Sequence, residues 1–397
     1  MKWERQIAIA DRLFKHIDAV STDRAASEMF IRETDYTDGE VAQRERSNIL
    51  MTHPHVAASS KELVQPGDFV TANVMGVPII VARQDDGSVR AFRNVCRHRC
   101  ATVVDAEKGH RRQFTCPYHG WTYELHGELR TVPDGEASFP AIDKKKFGLV
   151  DVPVAERHGL IWIVPVAGTN LDLKNFLGAE IDEDLSQLGL EGFHPYRTGV
   201  FEQPVNWKLL MDGFLEVYHV RYLHATTLSR IAISNLLVVD ALERHLRLVS
   251  ARKDIEKLRD AKPEELNLLP GIILTYILMP STVIVYVRDH FEIWSIAPHA
   301  TDPAKSTVTL RFLIPKAVEG DKESAYWDKN WNTVVSAVDA EDWAAARGIQ
   351  RNLRRDKSGG GECVFGRNEI GLQHFHRYLA SSPNRFFYHP AQSAGQP

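Results

Sequence analysis

The chain has 397 residues, 44% of them hydrophobic and 25% charged, and 48 Lys and Arg stand against 52 Asp and Glu for a net charge of −4. These values are ordinary for globular proteins, so they exclude a disordered, collagenous or coiled-coil chain, and they give no electrostatic support for nucleic acid or membrane as a partner. The N-terminus has no signal-like apolar stretch and there are only four cysteines, which predicts a location in the reducing cytoplasm.

The first elements along the chain are helical and then give way to strands. Within the first forty-five residues Ile7, Leu13 and Ile17 are among the apolar residues that recur at helical spacing. From about residue 50 to 166, short β-rich runs alternate with turn signals: Phe69–Val74, Val77–Ala82, Val89–Phe92 and Leu160–Val166. We therefore predict an N-terminal helical segment (1–49) and a small antiparallel β domain (50–166).

Two short cysteine–histidine pairs lie inside this β domain. Cys96 and His98 form a C-x-H pair, Cys116 and His119 form a C-x-x-H pair, and seventeen residues separate the two pairs. Two thiolates and two imidazoles in paired loops predict a four-ligand metal site. Zinc uses the same ligand types, but a zinc finger groups its two cysteines together and its two histidines together. Because each pair here mixes the two types, the pattern favours a Rieske [2Fe–2S] cluster, with both cysteines on one iron and both histidines on the other.

One residue beside the first pair departs from the Rieske pattern. Cys100 follows Arg99 where such proteins usually carry glycine. With Cys96 and Cys116 taken as ligands, we expect Cys100 to be a buried small residue rather than a substitute ligand or a redox thiol.

Beyond residue 167 helical patterning returns, and Asn206–His224 is predicted to form one helix. On one helix Asp212, Glu216 and His219 would share a face. His224 follows His219 by five residues, so a metal bound to both rings requires a widened turn or a helix end nearby. Two histidines and a carboxylate with open positions are the ligand set of non-haem Fe(II) oxygenases. By spacing alone, an ordinary amphipathic helix is an equal alternative, and Glu216 is itself eligible as a ligand.

The rest of the third region (167–397) combines further helices and strands. A second helical pattern covers Ala251–Leu266, and a polar helical stretch covers Asp321–Arg355. A loop is predicted at Gly359–Gly361 and a loose tail from Ser381 onward. Four strand-like runs lie between the helical stretches: Ile272–Leu278, Val283–Val287, Phe291–Ile296 and Thr307–Ile314.

Together the two constellations resemble the α subunits of Rieske non-haem iron ring-hydroxylating oxygenases, the family of naphthalene dioxygenase. The resemblance rests on C-R-H, C-P-Y-H-G-W-T-Y and N-W-K…E-V-Y-H-x-x-x-x-H. It implies an α+β fold, in which an antiparallel β Rieske domain is joined to a catalytic domain with an antiparallel sheet covered by helices (helix-grip or START-like). The implied cofactors are one [2Fe–2S] cluster and one mononuclear Fe(II) per chain.

The resemblance also implies the iron ligands. The cluster ligands would be the four residues of the two pairs, and the iron-binding histidines would be His219 and His224. The family's third ligand is a carboxylate on a C-terminal helix, and Asp342 is the predicted residue, with Asp339 and Glu341 as alternatives.

Two more site residues follow from the resemblance. Glu216 would bridge His219 to the second Rieske histidine, His119, of a neighbouring subunit, although most family members carry Asp there. Asn206, in the N-W-K motif, is predicted to be catalytic. A bridge between subunits implies a homotrimer with C₃ symmetry.

The implied function is that of a terminal oxygenase which hydroxylates an aromatic or other hydrophobic substrate with O₂, ring cis-dihydroxylation being favoured. The chain lacks a flavin or nicotinamide fingerprint, so electrons from NAD(P)H would come from a separate reductase, with or without a ferredoxin. A small β subunit could complete the assembly. The alternatives are a Rieske monooxygenase or O-/N-demethylase with the same metals and, from another class, an electron carrier or zinc module that uses the first site alone.

Overall fold

The structure, a computed structural model, describes residues 1–355 and 361–381. It divides into two compact units: the β unit, residues 51–176, and the mixed unit, which combines residues 1–50 with those from 177 onward. Gly359, Gly360 and the predicted tail beyond residue 381 lie outside the described residues. Among the described residues, no helix is long and apolar enough to cross a membrane.

The mixed unit begins with helices α1 (Trp3–Asp18), α2 (Thr34–Thr37) and α3 (Gly39–Asn48) and with strand β1 (Met29–Arg32). Helix α1 is amphipathic and buries Ile9 and Leu13 on one face. Asp38 caps the start of helix α3, because its side chain accepts hydrogen bonds from two backbone N–H groups of the first turn.

The β unit contains short strands and one short helix: β2 (His55–Ser59), β3 (Asp68–Val74), β4 (Val77–Arg83), β5 (Val89–Arg93), β6 (Lys108–His110), β7 (Gln113–Thr115), β8 (Thr122–Glu124), β9 (Leu129–Thr131), α4 (Gly135–Ser138), β10 (Asp151–Val152), β11 (Val154–Arg157) and β12 (Leu160–Ile163). The strands form three small antiparallel sheets of orders β10-β5-β4-β3-β6, β11-β12-β2 and β7-β8-β9. The apolar core of the unit includes the buried rings of Phe69, Phe114 and Trp121 and also both cysteines of the predicted cluster site.

Helix α5 (Leu173–Gln187, interrupted at Gly178) begins in the last residues of the β unit and ends in the mixed unit. The later elements of the mixed unit are β13 (His194–Gln203), α6 (Trp207–Asp212), β14 (Ala232–Leu242), β15 (His245–Arg252), β16 (Ile272–Leu278), β17 (Thr282–Val287), β18 (His290–Pro298), β19 (Ser306–Ile314), α7 (Asp321–Ala337), α8 (Trp343–Arg355), β20 (Glu362–Phe365) and α9 (Ile370–Ser381). The unit is built on a seven-stranded antiparallel sheet of order β13-β19-β18-β17-β16-β15-β14. Helices α1 and α9 pack against β14, α6 packs against β18, and β1 pairs with β20.

The predicted α+β class with antiparallel sheets is confirmed, and strand β16 was predicted to the residue. The helix predicted over Ala251–Leu266 is wrong. Its first two residues end β15, and only 3₁₀ turns follow, over Lys253–Leu258 and Pro263–Glu265. Pro263 explains part of this difference, since a proline disfavours helical conformation in the residue before it.

Three strands of the large sheet, β13, β14 and β15, were not predicted. Strand β15 was missed because it contains a buried charged residue, Arg247, which makes its sequence look polar. Arg247 Nη1 lies 3.0 Å from Asp184 Oδ2, and Arg247 Nη2 lies 2.8 Å from Asp240 Oδ2. Such pairing lets an arginine face a core, and a strand pattern does not reveal it.

His290, at the start of β18, lies between two carboxylates and stacks on Phe312. Its Nδ1 is 2.9 Å from Asp289 Oδ1, and its Nε2 is 3.5 Å from Glu292 Oε1. Burial disfavours the charged imidazole, but the hydrogen bond to Asp289 and the charges of both carboxylates outweigh burial and raise the pKa of His290 to about 9.

This raised pKa predicts a pH-dependent stability. Because the folded-state pKa lies above the usual 6.5, the contribution of protonated His290 is full below about pH 6.5 and is lost as the pH rises toward 9. Relative to His290→Gln, the wild-type free energy of unfolding should fall over this window by at most about 1.4 kcal/mol per pH unit. Urea-denaturation midpoints of both proteins between pH 6 and 9.5 measure the difference, and parallel pH profiles would contradict the prediction.

Candidate functional site

The two loops that carry the predicted cluster ligands share one backbone hydrogen-bond pattern. In the first loop the Cys100 N–H donates to the Cys96 carbonyl at 3.0 Å, and in the second the Gly120 N–H donates to the Cys116 carbonyl at 3.0 Å. In both loops the cysteine N–H also donates, at 2.8 Å, to the carbonyl five residues later. The loops are therefore two copies of one tight turn, in which Cys96 corresponds to Cys116 and Cys100 to Gly120.

The side chains of these loops suit a buried metal cluster. Cys96 and Cys116 are buried, and the ring centroids of His98 and His119 lie 4.7 Å apart. His98 stacks on Trp121, and its Nδ1 is buried without a hydrogen-bond partner among the described residues. A buried polar atom without a partner is costly, so a metal ion at Nδ1 would explain this arrangement. The donor set thus fits a [2Fe–2S] cluster.

Tyr123 is a further residue of the cluster site. The sequence showed it only as part of the motif that follows the second cysteine–histidine pair, without a role of its own. Its hydroxyl oxygen lies 3.2 Å from Cys96 Sγ and accepts a hydrogen bond from the Arg97 N–H. Burial, together with the hydrogen bond to Cys96, raises the pKa of Tyr123, so the phenol stays protonated and can donate to the sulfur. Hydrogen bonds to cluster sulfurs tune the reduction potential.

The prediction that Cys100 is buried is wrong, because its side chain is exposed. Cys100 has φ of +58°, and the corresponding Gly120 has φ of +69°. Cys100 therefore occupies the left-handed position of the turn, which strains a residue with a Cβ. The core beneath the loops is filled by Cys96 and Cys116 instead.

The helix predicted over Asn206–His224 is much shorter in the structure. Helix α6 ends at Asp212, and a separate 3₁₀ turn covers His219–Arg221. The predicted common face is also wrong, because Asp212 turns away, accepting a hydrogen bond from Tyr36 at 2.7 Å and contacting His376 Nε2 at 3.0 Å. The early end of the helix allows the two histidines, five residues apart, to face one point.

His219, His224 and Asp342 form the group of donors within 4.8 Å of one another. Asp342 Oδ1 lies 3.1 Å from His224 Nε2 and 3.5 Å from His219 Nε2. The alternatives to Asp342 lie elsewhere: Asp339 pairs with Arg347, and Glu341 contacts the other nitrogen of His224. The structure thus brings together two imidazoles and one carboxylate, which fits a facial iron site with open positions.

A widened helical turn presents the carboxylate. Residues Val338–Asp342 form a π-helical turn between α7 and α8, with the Trp343 N–H bonded to the Val338 carbonyl. Such turns are frequent at functional sites. The sequence predicted a widened turn or helix end near the histidines, and the structure has a helix end there and the widened turn at Asp342.

Further carboxylates surround the two imidazoles. Glu216 accepts hydrogen bonds from His219 Nδ1 and from the His219 backbone N–H. Burial disfavours a charged His224, yet the hydrogen bonds and charges of Asp342 and Glu341 outweigh burial and raise the pKa of His224. Negative charge at this point therefore attracts a cation, which is a proton or a metal ion.

Asn206 caps the start of α6. Its side chain accepts from the Lys208 N–H at 2.9 Å and donates to the carbonyls of Tyr36 and Pro303, each at 2.8 Å, and its backbone N–H donates to Gln350 Oε1 at 2.7 Å. The bond to Gln350 joins the start of α6 to α8, the helix that begins directly after Asp342. The contacts give Asn206 an anchoring role, and its predicted catalytic role stays a prediction.

Comparisons with known proteins match both parts of the chain. The family model described as "Ring hydroxylating alpha subunit (catalytic domain)" matches residues 190–382, and the one described as "Rieske [2Fe-2S] domain" matches residues 53–147.

The large oxygenase component of a 2,4-dinitrotoluene dioxygenase system from Burkholderia sp. (strain RASC) is 38% identical over 49% of this chain and 44% of its own length. Chloroplastic choline monooxygenase from Amaranthus tricolor is 26% identical over 88% of this chain and 76% of its own length. This chain thus spans less than half the length of the dioxygenase relative.

Solved structures show the same fold at low identity. The quaternary ammonium Rieske monooxygenase CntA in complex with L-carnitine has a TM-score of 0.75 and 20% identity, covering 91% of this chain and 97% of that chain. Naphthalene 1,2-dioxygenase from Rhodococcus sp. bound to indole has a TM-score of 0.73 and 19% identity, covering 96% and 99%.

The left-handed position of the cluster loops predicts opposite effects of two substitutions. Cys100→Gly should relieve backbone strain and stabilise the β unit by about 0.5–1 kcal/mol, with the visible spectrum of the cluster unchanged. Gly120→Ala should destabilise it by about 1 kcal/mol or more, because its Cβ would also lie 3.2 Å from Pro133. Thermal unfolding followed by cluster absorbance measures both. A loss of cluster in Cys100→Gly would contradict a purely conformational role for residue 100.

A close backbone contact predicts the effect of a methyl group placed in helix α9. A Cβ at Gly371 would lie 2.1 Å from the Leu215 carbonyl oxygen, so Gly371→Ala must push away the segment that leads to Glu216 and His219. We expect the variant to lose at least half of its mononuclear iron and about 1–3 kcal/mol of stability. The spectrum of the cluster should be retained. Iron and acid-labile sulfide per chain are the measurements.

The control for this substitution is Gly348→Ala in α8. Among the described residues, a Cβ there would meet the end of the flexible Arg351 side chain alone, at 3.7 Å. Gly348→Ala should therefore keep its iron, and full iron occupancy in Gly371→Ala as well would refute the proposed effect.

Proposed function

Since the chain belongs to the α subunits of the Rieske ring-hydroxylating oxygenases, we propose that it is a terminal oxygenase that hydroxylates an aromatic or other hydrophobic substrate. The predicted cofactors of this family, a [2Fe–2S] cluster and a mononuclear iron, are confirmed by this membership. When bound, the cluster transfers single electrons and the iron activates dioxygen. The observation that carries the proposal is the convergence of His219, His224 and Asp342 on one point.

We assign the ligands accordingly. Cys96 and Cys116 would hold one iron of the cluster, and His98 and His119 the other. His219, His224 and Asp342 would hold the mononuclear iron and leave positions for dioxygen beside the substrate. The proposed domains are an N-terminal segment (1–49), a Rieske domain (50–166) and a catalytic domain (167–397).

Glu216 is proposed to join His219 to His119 of a neighbouring subunit in a homotrimer. Its carboxylate already accepts a hydrogen bond from His219 Nδ1, which fixes the orientation of that ring. Two exposed, mutually packed tyrosines, Tyr218 and Tyr222, follow Glu216 in the sequence. Exposed aromatic rings are enriched at protein interfaces, which supports a subunit contact at this surface.

The β unit has a comparable surface beside His119. Tyr118 is exposed and lies against the His119 ring, and the guanidinium of Arg99 lies 5.2 Å from the centre of the Tyr118 ring. Tyrosine and arginine are both typical of interface hot spots. This surface supports contact with further copies of the chain in the proposed homotrimer. The other proposed partners, a reductase with or without a ferredoxin and a small β subunit, follow from the family.

An aromatic cluster contains the residue that follows Asp342 in the chain. Trp343 packs on Phe201 at 5.3 Å and on Trp294 at 6.5 Å between ring centroids, and Trp294 packs on Phe214 at 5.5 Å. Sites for small ligands are typically lined by hydrophobic and aromatic side chains, so this cluster supports an apolar substrate.

A monooxygenase or demethylase remains the second candidate. The observation in its favour is the longer alignment with choline monooxygenase, which covers 88% of this chain, against 49% for the dinitrotoluene dioxygenase component. The same residues would bind the same metals in both cases, so the two candidates differ in product and not in the ligands.

The proposal predicts which activity two ligand substitutions remove. Purified protein with a compatible reductase should consume O₂ in an NADH- and substrate-dependent reaction across a panel of aromatic hydrocarbons and alkylammonium compounds. His219→Ala and Asp342→Asn should lower product formation at least about 100-fold, because each removes one of three iron ligands. Both should keep the wild-type visible and EPR spectra of the cluster.

The product and the control decide among the candidates. Asp339 lies in the same π turn as Asp342, but it pairs with Arg347. The control variant Asp339→Asn should therefore keep its activity. A cis-diol with both oxygen atoms from ¹⁸O₂ supports a dioxygenase, whereas a phenol, an alcohol or released aldehyde supports the monooxygenase. Unchanged electron transfer and unchanged turnover in His219→Ala would refute an oxygenase. Wild-type protein that contains zinc and no acid-labile sulfide would also refute it.

A further inference from the structure

Glu341, the residue before the proposed ligand Asp342, contacts the opposite edge of the same imidazole. Its Oε2 lies 2.6 Å from His224 Nδ1, whereas Asp342 Oδ1 lies 3.1 Å from His224 Nε2. Two consecutive carboxylates thus face the two ring nitrogens of one histidine. The π turn that holds both residues makes this possible, and the longer glutamate side chain extends around the ring.

These contacts determine the state of the ring. A carboxylate only accepts hydrogen bonds, and each ring nitrogen of His224 faces one. With a metal ion bound at Nε2 beside Asp342, the single proton of the neutral ring would lie on Nδ1 and be donated to Glu341. The His224 side chain is 1% exposed, and a ring flip would break both contacts. The same Glu341 oxygen accepts a hydrogen bond from the Thr227 hydroxyl at 2.7 Å, which fixes the carboxylate in turn.

We propose that Glu341 is a positioning residue that sets the affinity of the mononuclear site for Fe(II), by fixing the tautomer and orientation of His224. This inference rests on the proposed function, because it takes His219, His224 and Asp342 as the iron ligands. It adds a residue that the sequence offered only as an alternative ligand. Partners of this kind, behind a metal-binding histidine, typically change metal affinity 10–100-fold.

Glu341 differs from Glu216, the other carboxylate behind a histidine. Glu216 lies next to exposed tyrosines and is proposed to contact a neighbouring subunit. Glu341 instead contacts His224 and the Thr227 hydroxyl. Substitutions of Glu341 therefore test the support of His224 and not the proposed bridge through His219.

The test is an equilibrium titration of Fe(II) into protein that has kept its cluster but has been depleted of mononuclear iron, under anaerobic conditions in competition with a chromophoric chelator. Glu341→Ala should raise the Kd for Fe(II) about 10–100-fold. Glu341→Gln keeps an acceptor for Nδ1–H but loses the charge, so its Kd should lie between those of Glu341→Ala and the wild type. Asp339→Asn, in the same π turn, should bind Fe(II) like the wild type.

The controls separate positioning from folding. Thermal unfolding of the iron-depleted proteins and the cluster spectrum report the fold, and Glu341→Gln replaces Glu341→Ala if the alanine variant does not fold. A Kd equal to that of the wild type in the folded variants, or an equal loss in Asp339→Asn, overturns the inference. If the wild type does not bind one Fe(II) per chain, or if His219→Ala binds it unchanged, the proposed iron site fails as well.

Discussion

The proposed iron site depends on one histidine held between two carboxylates. His224 is almost fully buried, with Glu341 at one ring nitrogen and Asp342 at the other. Two carboxylates around one imidazole are stable away from water only when a cation joins them. The two segments involved are 118 residues apart in the chain, so the surrounding structure must hold them together before any cation binds. The Asn206–Gln350 bond and the contact of Gly371 with the Leu215 carbonyl provide this support.

The local parts of both sites could be predicted from the sequence, because their residues lie close together along the chain. The pairs Cys96–His98 and Cys116–His119 are separated by one and two residues, and their spacing alone suggested a cluster. The remote carboxylate could not be found this way, and Asp342 came from the resemblance to a family. The long helix over Asn206–His224 was wrong because apolar periodicity does not show where another element, here α9 at Gly371, approaches the backbone.

The two cluster loops show how one backbone pattern can carry unequal side chains. Both loops need a left-handed residue four positions after the cysteine, and only the second has glycine there. The strain at Cys100 is therefore next to a ligand loop, where it persists because the hydrogen bonds of the turn and the buried cysteine determine the backbone. A sequence pattern alone suggested burial for Cys100, since cysteine is usually buried, whereas the comparison with Gly120 shows why it is not.

The two imidazoles of the proposed iron site are held in different ways, and this difference bears on function. A carboxylate lies behind each ring, so neither can rotate freely, and both direct Nε2 toward Asp342. The carboxylate behind His219 is followed by exposed tyrosines, whereas the one behind His224 is bound by Thr227 of the same chain. A neighbouring subunit that contacts Glu216 would therefore reach the proposed site through His219, whereas Glu341 supports it through His224.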